Sequence, residues 1–556
     1  MRRFSPDLMV LLLLAAGGFL GFLGQPPLFD WDEINFAEAA REMLATGNYL
    51  QVQINYQPFW EKPPLFFWMQ ALSMSWFGVG EYAARFPNAV IGIFTILALY
   101  REGSAWRNAL FGRLVALFYL ATMLPSIYFK TGIIDPTFNF FIFLGLMNIF
   151  HYDEQVRLAG ENKRKDKAAW IAGVWIGLAV LTKGPVALVV VGLIYGIYKG
   201  IWHKMKLPWL GIFSFSIGCF LTIGVWYGVE TVIHGSWFIT EFISYQFDLF
   251  SKDVAGHAQP FYYHPIVFLL GCFPMAAFTF RGMALKGGDD KELLLRRLMI
   301  IWFWVVMVLF SIVKTKIIHY SSLLYFPGAF LSADLVYRWI KEGEKPKWDT
   351  WLLLGIGAVV WGLAPSLINV ATSNLAYLAS RLKDPIASAA MTNDVNWSGW
   401  EWTIGGVFLL SILFFLLLIY QRKYQRALWL QAVATLVFVN LMFVVVAPKA
   451  GEHVQGVPQA FFEKLEGKQI YVLPARYKSY LPYFYSKVAP PANRSSYTND
   501  WLISGDIDKD VYLSVQAHRE DEAFRQQFRT FERLYEEGGF VFYVRKKSRP
   551  WLGIYP

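Results

Sequence analysis

The sequence is short of charge and almost free of cysteine. Charged residues make up 17% of its 556 residues, whereas a soluble globular chain carries about 25%. The two cysteines, Cys219 and Cys272, both lie in apolar runs. We therefore interpret them as buried thiols and expect neither a disulfide framework nor a cysteine-based zinc cluster.

Several nucleotide-binding and hydrolase motifs are also missing. The sequence has no Walker-type phosphate loop and no dinucleotide fingerprint after a strand, and it has no G-x-S-x-G element. The formal net charge is +10, but no basic stripe with interleaved aromatic residues supports nucleic-acid binding. We expect neither a nucleotide cofactor nor a nucleic-acid partner.

Long apolar runs are what the sequence has in abundance. Hydrophobic residues make up 56% of the chain and the mean hydropathy is +0.36. Runs of about 20 apolar residues, the length of a helix that crosses a bilayer, recur along it. We predict about 13 transmembrane helices, at residues 8–24, 84–100, 109–127, 136–152, 168–182, 185–201, 208–230, 264–281, 298–313, 319–337, 350–371, 402–420 and 427–447.

Lysine and arginine concentrate in alternate short loops, such as 157–167 and 421–426. By the positive-inside rule these loops are cytoplasmic, which leaves the long first loop, about 25–83, on the outer side. We therefore place the protein in the cytoplasmic (inner) membrane, with its active site facing the periplasm.

The chain is divided into two parts by composition. Residues 1–447 form the predicted transmembrane catalytic domain, and residues 448–556 form a small periplasmic domain. In this tail, apolar alternation interrupts helix-like stretches such as 520–534, which is typical of an α/β domain.

Five lysines lie at outer loop edges, although the positive-inside rule disfavours that side. One such lysine could simply extend its ammonium group to the membrane surface. A group of them favours a shared anionic ligand, since charge near the hydrocarbon region is expensive. These lysines are Lys62, Lys130, Lys183, Lys314 and Lys316.

Acidic residues follow the first apolar run directly, in LFDWDEINFAEAAREML at 28–44. They could start a helix, because acids are favoured at helix N-termini. Alternatively, Asp32 could act as a general base on an acceptor. Asp135, in GIIDP, lies where another span meets the outside, although an aspartate before proline is often only a turn residue.

The segment PFWEKPP at 58–64 places Glu61 and Lys62 side by side. Lys62 could bind a phosphate as a compact cation, and Glu61 could be an oxygen ligand of a divalent metal. The alternative is a surface ion pair worth about 0–1 kcal/mol. Glu61 and His257 would make half of a zinc-like site. Tyr320, next to His319, could donate a hydrogen bond at the head of a span.

The order of these motifs resembles that of a known family. DWDE, AEAAREML, EKPPL at 61–65, GIIDP, LTKGP at 181–185, HAQPFYYH at 257–264 and KTKIIHY at 314–320 are similar to motifs of the GT-C membrane glycosyltransferases. Within that class the sequence resembles the ArnT-like branch, which comprises lipid A aminoarabinose transferases and protein O-mannosyltransferase relatives. The resemblance covers about residues 5–450.

The resemblance implies an inverting transfer of sugar from a polyprenyl phosphate donor, in a GT-C fold with helices along the outer membrane surface. It implies catalytic roles for Asp32 and Asp135, with Lys62, Lys183 and Tyr320 around the donor phosphate. Glu61 and His257 match a metal pair, most simply zinc. From their outer-edge position, Lys130 and Lys316 are added to the donor-phosphate group.

The favoured acceptor is lipid A and the sugar 4-amino-4-deoxy-L-arabinose, with a monomeric enzyme. The aminoarabinose branch usually carries an Arg-Tyr pair where this sequence has Asn35 and Phe36, so a protein or polysaccharide acceptor stays open. A lipid-sugar flippase is a further alternative, but the broken helices in matching halves that are typical of transporters are not evident.

Overall fold

The structure consists mostly of helices. The computed structural model describes residues 5–30, 32–159, 167–202, 208–251 and 259–547. Its first helices are α1 Pro6–Leu20, α2 Asp32–Thr46, α3 Leu65–Phe77, α4 Glu81–Trp106, α5 Ala109–Leu120, α6 Met123–Tyr128, α7 Asp135–Ala159, α8 Lys167–Lys183, α9 Val186–Trp202, α10 Trp209–His234 and α11 Trp237–Ser251.

The second half continues in the same way. Its helices are α12 Tyr263–Gly271, α13 Met275–Met283, α14 Asp290–Ile312, α15 Tyr325–Glu342, α16 Trp348–Ala358, α17 Ala364–Ser366, α18 Ile368–Thr372, α19 Leu375–Arg381, α20 Pro385–Met391, α21 Trp402–Tyr420, α22 Tyr424–Leu441, α23 Ala447–Gly451 and α24 Val457–Glu463. A 3₁₀ helix, Ile318–Leu324, precedes α15.

Polar side chains begin several of these helices. The Ser5 hydroxyl accepts the Leu8 N–H at 3.3 Å, with proline at the first helical position of α1. The Asn108 amide oxygen accepts the Phe111 N–H at 3.1 Å at the start of α5. Each cap satisfies a backbone donor that the first helical turn leaves unpaired.

Within the described residues, six helices are long and apolar enough to cross a membrane, or seven if α12 and α13 count as one bent span. Three shorter apolar helices accompany them: Pro6–Leu20, Ala109–Leu120 and Val186–Ile201. Helix α10 leaves large apolar side chains such as Phe213 and Phe220 exposed, as a helix in contact with lipid does. The chain is therefore a multi-pass membrane protein.

Two predicted spans are not single straight helices. The span predicted at 109–127 divides into α5 and α6, and the Met123 N–H donates to the Phe273 carbonyl at 3.1 Å. The span predicted at 264–281 is bent by 114° between α12 and α13. Pro274 lies at this bend and has no N–H with which to continue the helix.

Close packing of α8 against α10 fixes the position of the end of α8. A Cβ added at Gly173 would lie 2.0 Å from the Phe215 carbonyl oxygen, and one at Gly218 would lie 2.4 Å from that of Trp170. Small residues of this kind let two membrane helices approach closely. The packing of α8 against α10 fixes the position of Lys183, which is the last residue of α8.

Helix α22 continues without interruption into the C-terminal part of the chain. Together with α23, α24 and two π-helical segments, Met442–Val446 and Glu452–Gly456, it forms a helical run from Tyr424 to Glu463. The domain boundary predicted after residue 447 falls inside this run. The composition changes there, but the backbone does not change its course.

A four-stranded sheet follows this helical run, in the order β3-β4-β6-β5. With the short outer-loop strands β1 Gln53–Ile54 and β2 Gln57–Pro58, the strands are β3 Ile470–Ala475, β4 Asp510–Gln516, β5 Glu532–Glu537 and β6 Phe540–Arg545. Strand β3 runs parallel to β4, and β6 pairs antiparallel with both β4 and β5. Short helices α25 Leu481–Ser486, α26 Asn499–Ser504 and α27 Glu522–Gln527 connect them.

One helix-like stretch of this tail has a different structure. Residues 520–534 are helical only over α27, and their last residues enter strand β5. Every residue of β5 is exposed, so its charged side chains fit an edge strand as well as a helix surface.

Candidate functional site

The outer ends of several helices enclose a cavity of about 710 Å³. Its walls come from α2, the segment after β2, the region between α6 and α7, the end of α8, α11 and the segment before α15. Of the nine predicted site residues, the cavity brings six together: Asp32, Glu61, Lys62, Asp135, Lys183 and Tyr320.

Asp135 and Lys183 form an ion pair in the cavity wall. The Lys183 ammonium lies 2.5 Å from Asp135 Oδ1, and the two side chains are 16% and 4% exposed. The same ammonium lies 4.6 Å from the centre of the Tyr320 ring. A cation, a carboxylate and a phenol therefore meet at one point.

Gly184 explains why LTKGP holds Lys183 there. Its φ of +99° lies in the left-handed region that favours glycine, and an added Cβ would lie 2.3 Å from the Phe242 ring. The turn therefore ends α8 with Lys183 directed at the cavity.

His319 lies between the two predicted catalytic carboxylates. Its Nε2 atom is 3.6 Å from Asp32 Oδ2 and 3.6 Å from Asp135 Oδ2. These distances are too long for a hydrogen bond, and this nitrogen has no hydrogen-bond partner among the described residues. The sequence made His319 as eligible as Tyr320 for a hydrogen bond at the head of a span, but it did not place His319 between the two carboxylates.

Lys62 also lines the cavity, with its ammonium 5.2 Å from the centre of the Tyr245 ring. Burial lowers the pKa of Lys62, while the carboxylates of Glu61 and Asp32 oppose that effect. The short hairpin β1–β2 positions this segment, since the Phe59 N–H donates to the Val52 carbonyl at 2.8 Å.

Both carboxylate oxygens of Glu61 have protein partners. The Tyr245 hydroxyl donates to Oε2 at 3.1 Å, and the Lys478 ammonium lies 3.5 Å from Oε1. Among the described residues, no group of three or more histidine, cysteine, aspartate or glutamate side chains could hold a metal ion, and a zinc site needs at least three protein ligands. His257 lies outside the described residues. The metal site stays a prediction.

Two lysines predicted to bind the donor phosphate do not line the cavity. Lys130 is fully buried and donates to the Gly18 carbonyl, at 3.2 Å, and to the Asn440 amide oxygen, at 3.0 Å. It satisfies the backbone at the end of α1, where unpaired carbonyls would be costly. Its role at the donor phosphate stays a prediction.

Lys316 lies behind the cavity wall for a different reason. Its neighbours Thr315 and Ile317 line the cavity, and Ile317 has extended backbone angles. Successive side chains of extended chain point to opposite sides, so Lys316 is directed away from the cavity and is buried near His264. Its role at the donor phosphate likewise stays a prediction.

A buried ion pair between Glu33 and Arg85 holds together the elements that carry the site. Glu33 accepts two hydrogen bonds from Arg85, at 2.7 and 3.0 Å, and one from the Gly132 N–H. Burial alone would raise the pKa of Glu33, but Arg85 and the N–H groups of Phe29 and Gly132 outweigh it and hold that pKa low. One carboxylate thus connects the helix that starts with Asp32 to the loop before Asp135.

Lys478 also lines the cavity. It lies in the segment 476–480 of the C-terminal part, which follows strand β3. Asn35, Tyr128 and Tyr245 line it as well. None of them was predicted, because no local pattern indicates which distant segments meet.

Comparison with known proteins supports the family resemblance. A family model described as dolichyl-phosphate-mannose-protein mannosyltransferase matches residues 61–226. An undecaprenyl phosphate-alpha-4-amino-4-deoxy-L-arabinose arabinosyl transferase of Wigglesworthia glossinidia brevipalpis is 26% identical over 62% of this chain and 60% of its own. A protein of the same description from Aeromonas salmonicida is 24% identical over 58% of each chain. The chain thus aligns with about three fifths of these relatives' length.

The fold itself matches a solved structure over nearly its whole length. The crystal structure of ArnT from Cupriavidus metallidurans bound to undecaprenyl phosphate superposes with a TM-score of 0.73, covering 97% of each chain at 16% identity. The apo state of the same protein gives a TM-score of 0.70. The predicted ArnT-like GT-C fold is confirmed.

Proposed function

We propose that this multi-pass membrane protein, which has the ArnT-like GT-C fold, transfers a sugar from a polyprenyl phosphate to lipid A. The observation that carries this proposal is the meeting of two aspartates and two lysines from four separate segments in one cavity: Asp32, Lys62, Asp135 and Lys183. The names of the relatives favour 4-amino-4-deoxy-L-arabinose as the sugar.

The transfer proceeds as a direct displacement that inverts the anomeric carbon. The bond from that carbon to the donor phosphate breaks while the acceptor oxygen attacks from the opposite face. Negative charge grows on the leaving phosphate, and Lys62, Lys183 and the Tyr320 hydroxyl stabilise it from fixed positions. Asp135 holds the Lys183 ammonium group in place through their ion pair.

Asp32 acts on the acceptor. With a hydroxyl acceptor it removes the proton as a general base. A phosphate acceptor is already anionic, so with lipid A the carboxylate orients the acceptor more than it deprotonates it.

The proposed topology has about 13 spans, with the cavity and the C-terminal domain in the periplasm. The basic loops on the opposite side support this orientation. The site then faces the leaflet from which a lipid-linked donor and lipid A can both enter.

Glu61 and His257 are proposed to hold a divalent metal, with zinc the first candidate. Elemental analysis of the purified protein tests this point directly. We expect about one zinc per chain in the wild type and a loss in Glu61→Gln, since a site of few ligands does not survive the loss of one.

A protein acceptor is the second candidate. The description of the matching family model favours it, and so do Asn35 and Phe36 in place of the Arg-Tyr pair. The Phe36 ring packs edge-on against Phe66 and Phe67, which makes this position part of the core.

Mass spectrometry of lipid A from cells that express the wild type, Asp32→Asn or Asp349→Asn tests the proposal. Asp349 is a matched control because it lies in the first turn of α16 as Asp32 lies in that of α2. We expect a sugar-sized mass increment in the wild type and the control, and none in Asp32→Asn. An increment that survives Asp32→Asn contradicts the role of Asp32.

Two further outcomes separate the alternatives. No increment on lipid A, with sugar found on periplasmic proteins, moves the assignment to a protein acceptor. Transfer in detergent, where the two sides of a membrane no longer exist, identifies an enzyme, because a flippase makes no new bond.

A further inference from the structure

The C-terminal part of the chain contributes a cation to the catalytic cavity. Lys478 lines the cavity, and its ammonium lies 3.5 Å from Glu61 Oε1 and 5.9 Å from the centre of the Tyr480 ring. It comes from the segment between β3 and α25, more than 400 positions after Glu61. Neither the motifs nor the proposed chemistry uses this lysine.

Hydrogen bonds on both sides hold this segment in place. On the side of the cavity, the Ser479 hydroxyl donates to Asp30 Oδ2 at 2.5 Å. On the side of the sheet, the hydroxyls of Tyr477 and Ser514 are 2.7 Å apart. Lys478 therefore stands at a fixed place between the sheet and the first outer loop.

The exposure of the three cavity lysines divides them into two kinds. The Lys478 side chain is 51% exposed, whereas that of Lys183 is 16% exposed and Lys62 is half-buried beside the Tyr245 ring. The inner pair suits the donor phosphate, which arrives from the membrane. Lys478 stands at the mouth, where a second anion could approach without displacing the first.

The contact between Lys478 and Glu61 is weak enough to be exchanged. A partly exposed ion pair is worth about 0–1 kcal/mol, while hydrogen bonds between a lysine and a phosphate are among the strong ones. An incoming phosphate can therefore take Lys478 from Glu61 at small cost.

We propose that Lys478 binds the phosphate monoester of the glycolipid acceptor at the mouth of the cavity, so that the C-terminal domain takes part in selecting the acceptor. This inference rests on the proposed function. It assigns the inner lysines to the donor and this outer lysine to the acceptor.

Steady-state kinetics of the purified full-length protein test the inference, with a polyprenyl-phosphate-linked sugar as donor and lipid A as acceptor. We expect Lys478→Ala to raise the acceptor KM about tenfold, equal to about 1.4 kcal/mol, with little change in the donor KM. Lys478→Glu should raise it further, and Lys478→Arg should restore most of the affinity. Lys487→Ala is the matched control, because Lys487 pairs with Glu466 on the surface of the same part of the chain.

An unchanged acceptor KM in Lys478→Ala overturns the inference, as does a rise confined to the donor KM. If the wild type transfers no sugar to lipid A, the proposed function fails, and the shift in unfolding temperature on adding lipid A becomes the readout. If lipid A raises the unfolding temperature of the wild type but not of Lys478→Ala, Lys478 still binds this glycolipid even though the proposed transfer does not occur. No shift in the wild type overturns both.

Discussion

At the scale of single residues, the site is a set of charges that hold one another in place. Lys183 forms an ion pair with Asp135, and Lys62 interacts electrostatically with the carboxylates of Glu61 and Asp32. Burial lowers the pKa of Lys62, and these two carboxylates oppose that effect. A donor phosphate that enters therefore meets lysine side chains that are already held in position.

Lys183→Gln should lower kcat by about 10²–10³-fold, the usual effect of removing one preorganised donor to a developing charge. Lys199→Gln is the control, because Lys199 forms a comparable buried pair with Asp153 but does not line the cavity. Both variants should lose stability in thermal unfolding, and only Lys183→Gln should lose turnover per folded molecule. An equal loss of turnover in both contradicts the assignment.

His319→Gln should flatten the acidic side of the pH–rate profile. In the wild type, a fall in pH protonates the imidazole, and the cation then pairs with Asp32 and Asp135, 3.6 Å from its Nε2 atom. Asp32 is thereby withdrawn from the acceptor and activity falls. Glutamine cannot take up this proton, so the rates of the two proteins, measured from pH 5 to 8, should diverge as the pH falls, with the wild-type rate declining and the variant's rate changing little. Parallel profiles would exclude this role.

Six of the nine predicted site residues line one cavity, and most of them were chosen because a charge at the membrane boundary is expensive. Lys130 and Lys316 satisfy the same rule for a different reason, since one caps a helix end and the other lies behind an extended segment. Sequence position gives the depth of a residue in the membrane, but it does not give the direction of its side chain.

At the scale of elements, the connection between α2, α4 and the loop before α7 passes through the Glu33–Arg85 pair. Both side chains are almost completely buried, at 5% and 1% exposure. Neither residue touches the proposed chemistry. Their part is to hold the elements that start with Asp32 and Asp135 at a fixed separation.

Glu33→Gln should destabilise the protein by about 3–5 kcal/mol, because it leaves the charge of Arg85 buried without a partner. The low pKa of Glu33 also determines how stability depends on pH. The ionised Glu33 carboxylate stabilises the folded state above the ordinary pKa of glutamate, and this stabilisation is lost as the pH falls through the lowered pKa. Unfolding temperatures measured between pH 3 and 7 should therefore fall on the acid side more steeply in the wild type than in the variant. Glu466→Gln, which removes a surface pair, should keep the wild-type slope.

The apolar alternation of residues 448–556 predicted strands in the C-terminal part, and β3, β4 and β6 lie within it. The breaks between α5 and α6 and between α12 and α13 were not. Hydropathy averages over about 19 residues, so a bend within an apolar run leaves no trace in it.

At the scale of the whole molecule, the C-terminal part is joined to the first outer loop by several long-range hydrogen bonds. The Tyr485 hydroxyl accepts the Leu28 N–H at 3.2 Å and donates to Glu81 at 3.1 Å. The Gln455 amide donates to the Leu28 carbonyl at 2.6 Å. The sequence could not predict these contacts, because their partners are some 400 positions apart.

Tyr485→Phe should destabilise this junction by about 1–3 kcal/mol, since it leaves the buried Leu28 N–H and the Glu81 carboxylate without their partner. Hydrogen exchange followed by mass spectrometry should show faster exchange over residues 25–33 and unchanged exchange in α14. Tyr535→Phe, on the exposed strand β5, is the control. Unchanged exchange at 25–33 would show that the junction does not depend on this hydroxyl.

The helical run from Tyr424 to Glu463 fixes more than a distance. Its 40 residues extend about 60 Å at 1.5 Å per residue, about twice the thickness of the hydrocarbon core. Each residue also rotates the chain by about 100° about the helix axis. The length of the run therefore sets the direction in which the following sheet, and with it Lys478, faces the cavity. A single-residue insertion in it would turn the sheet through more than a quarter of a circle, whereas four residues would nearly restore its bearing. The two π-helical segments, Met442–Val446 and Glu452–Gly456, have more residues per turn than an α-helix, so the direction in which the run ends differs from that of a regular helix of the same length.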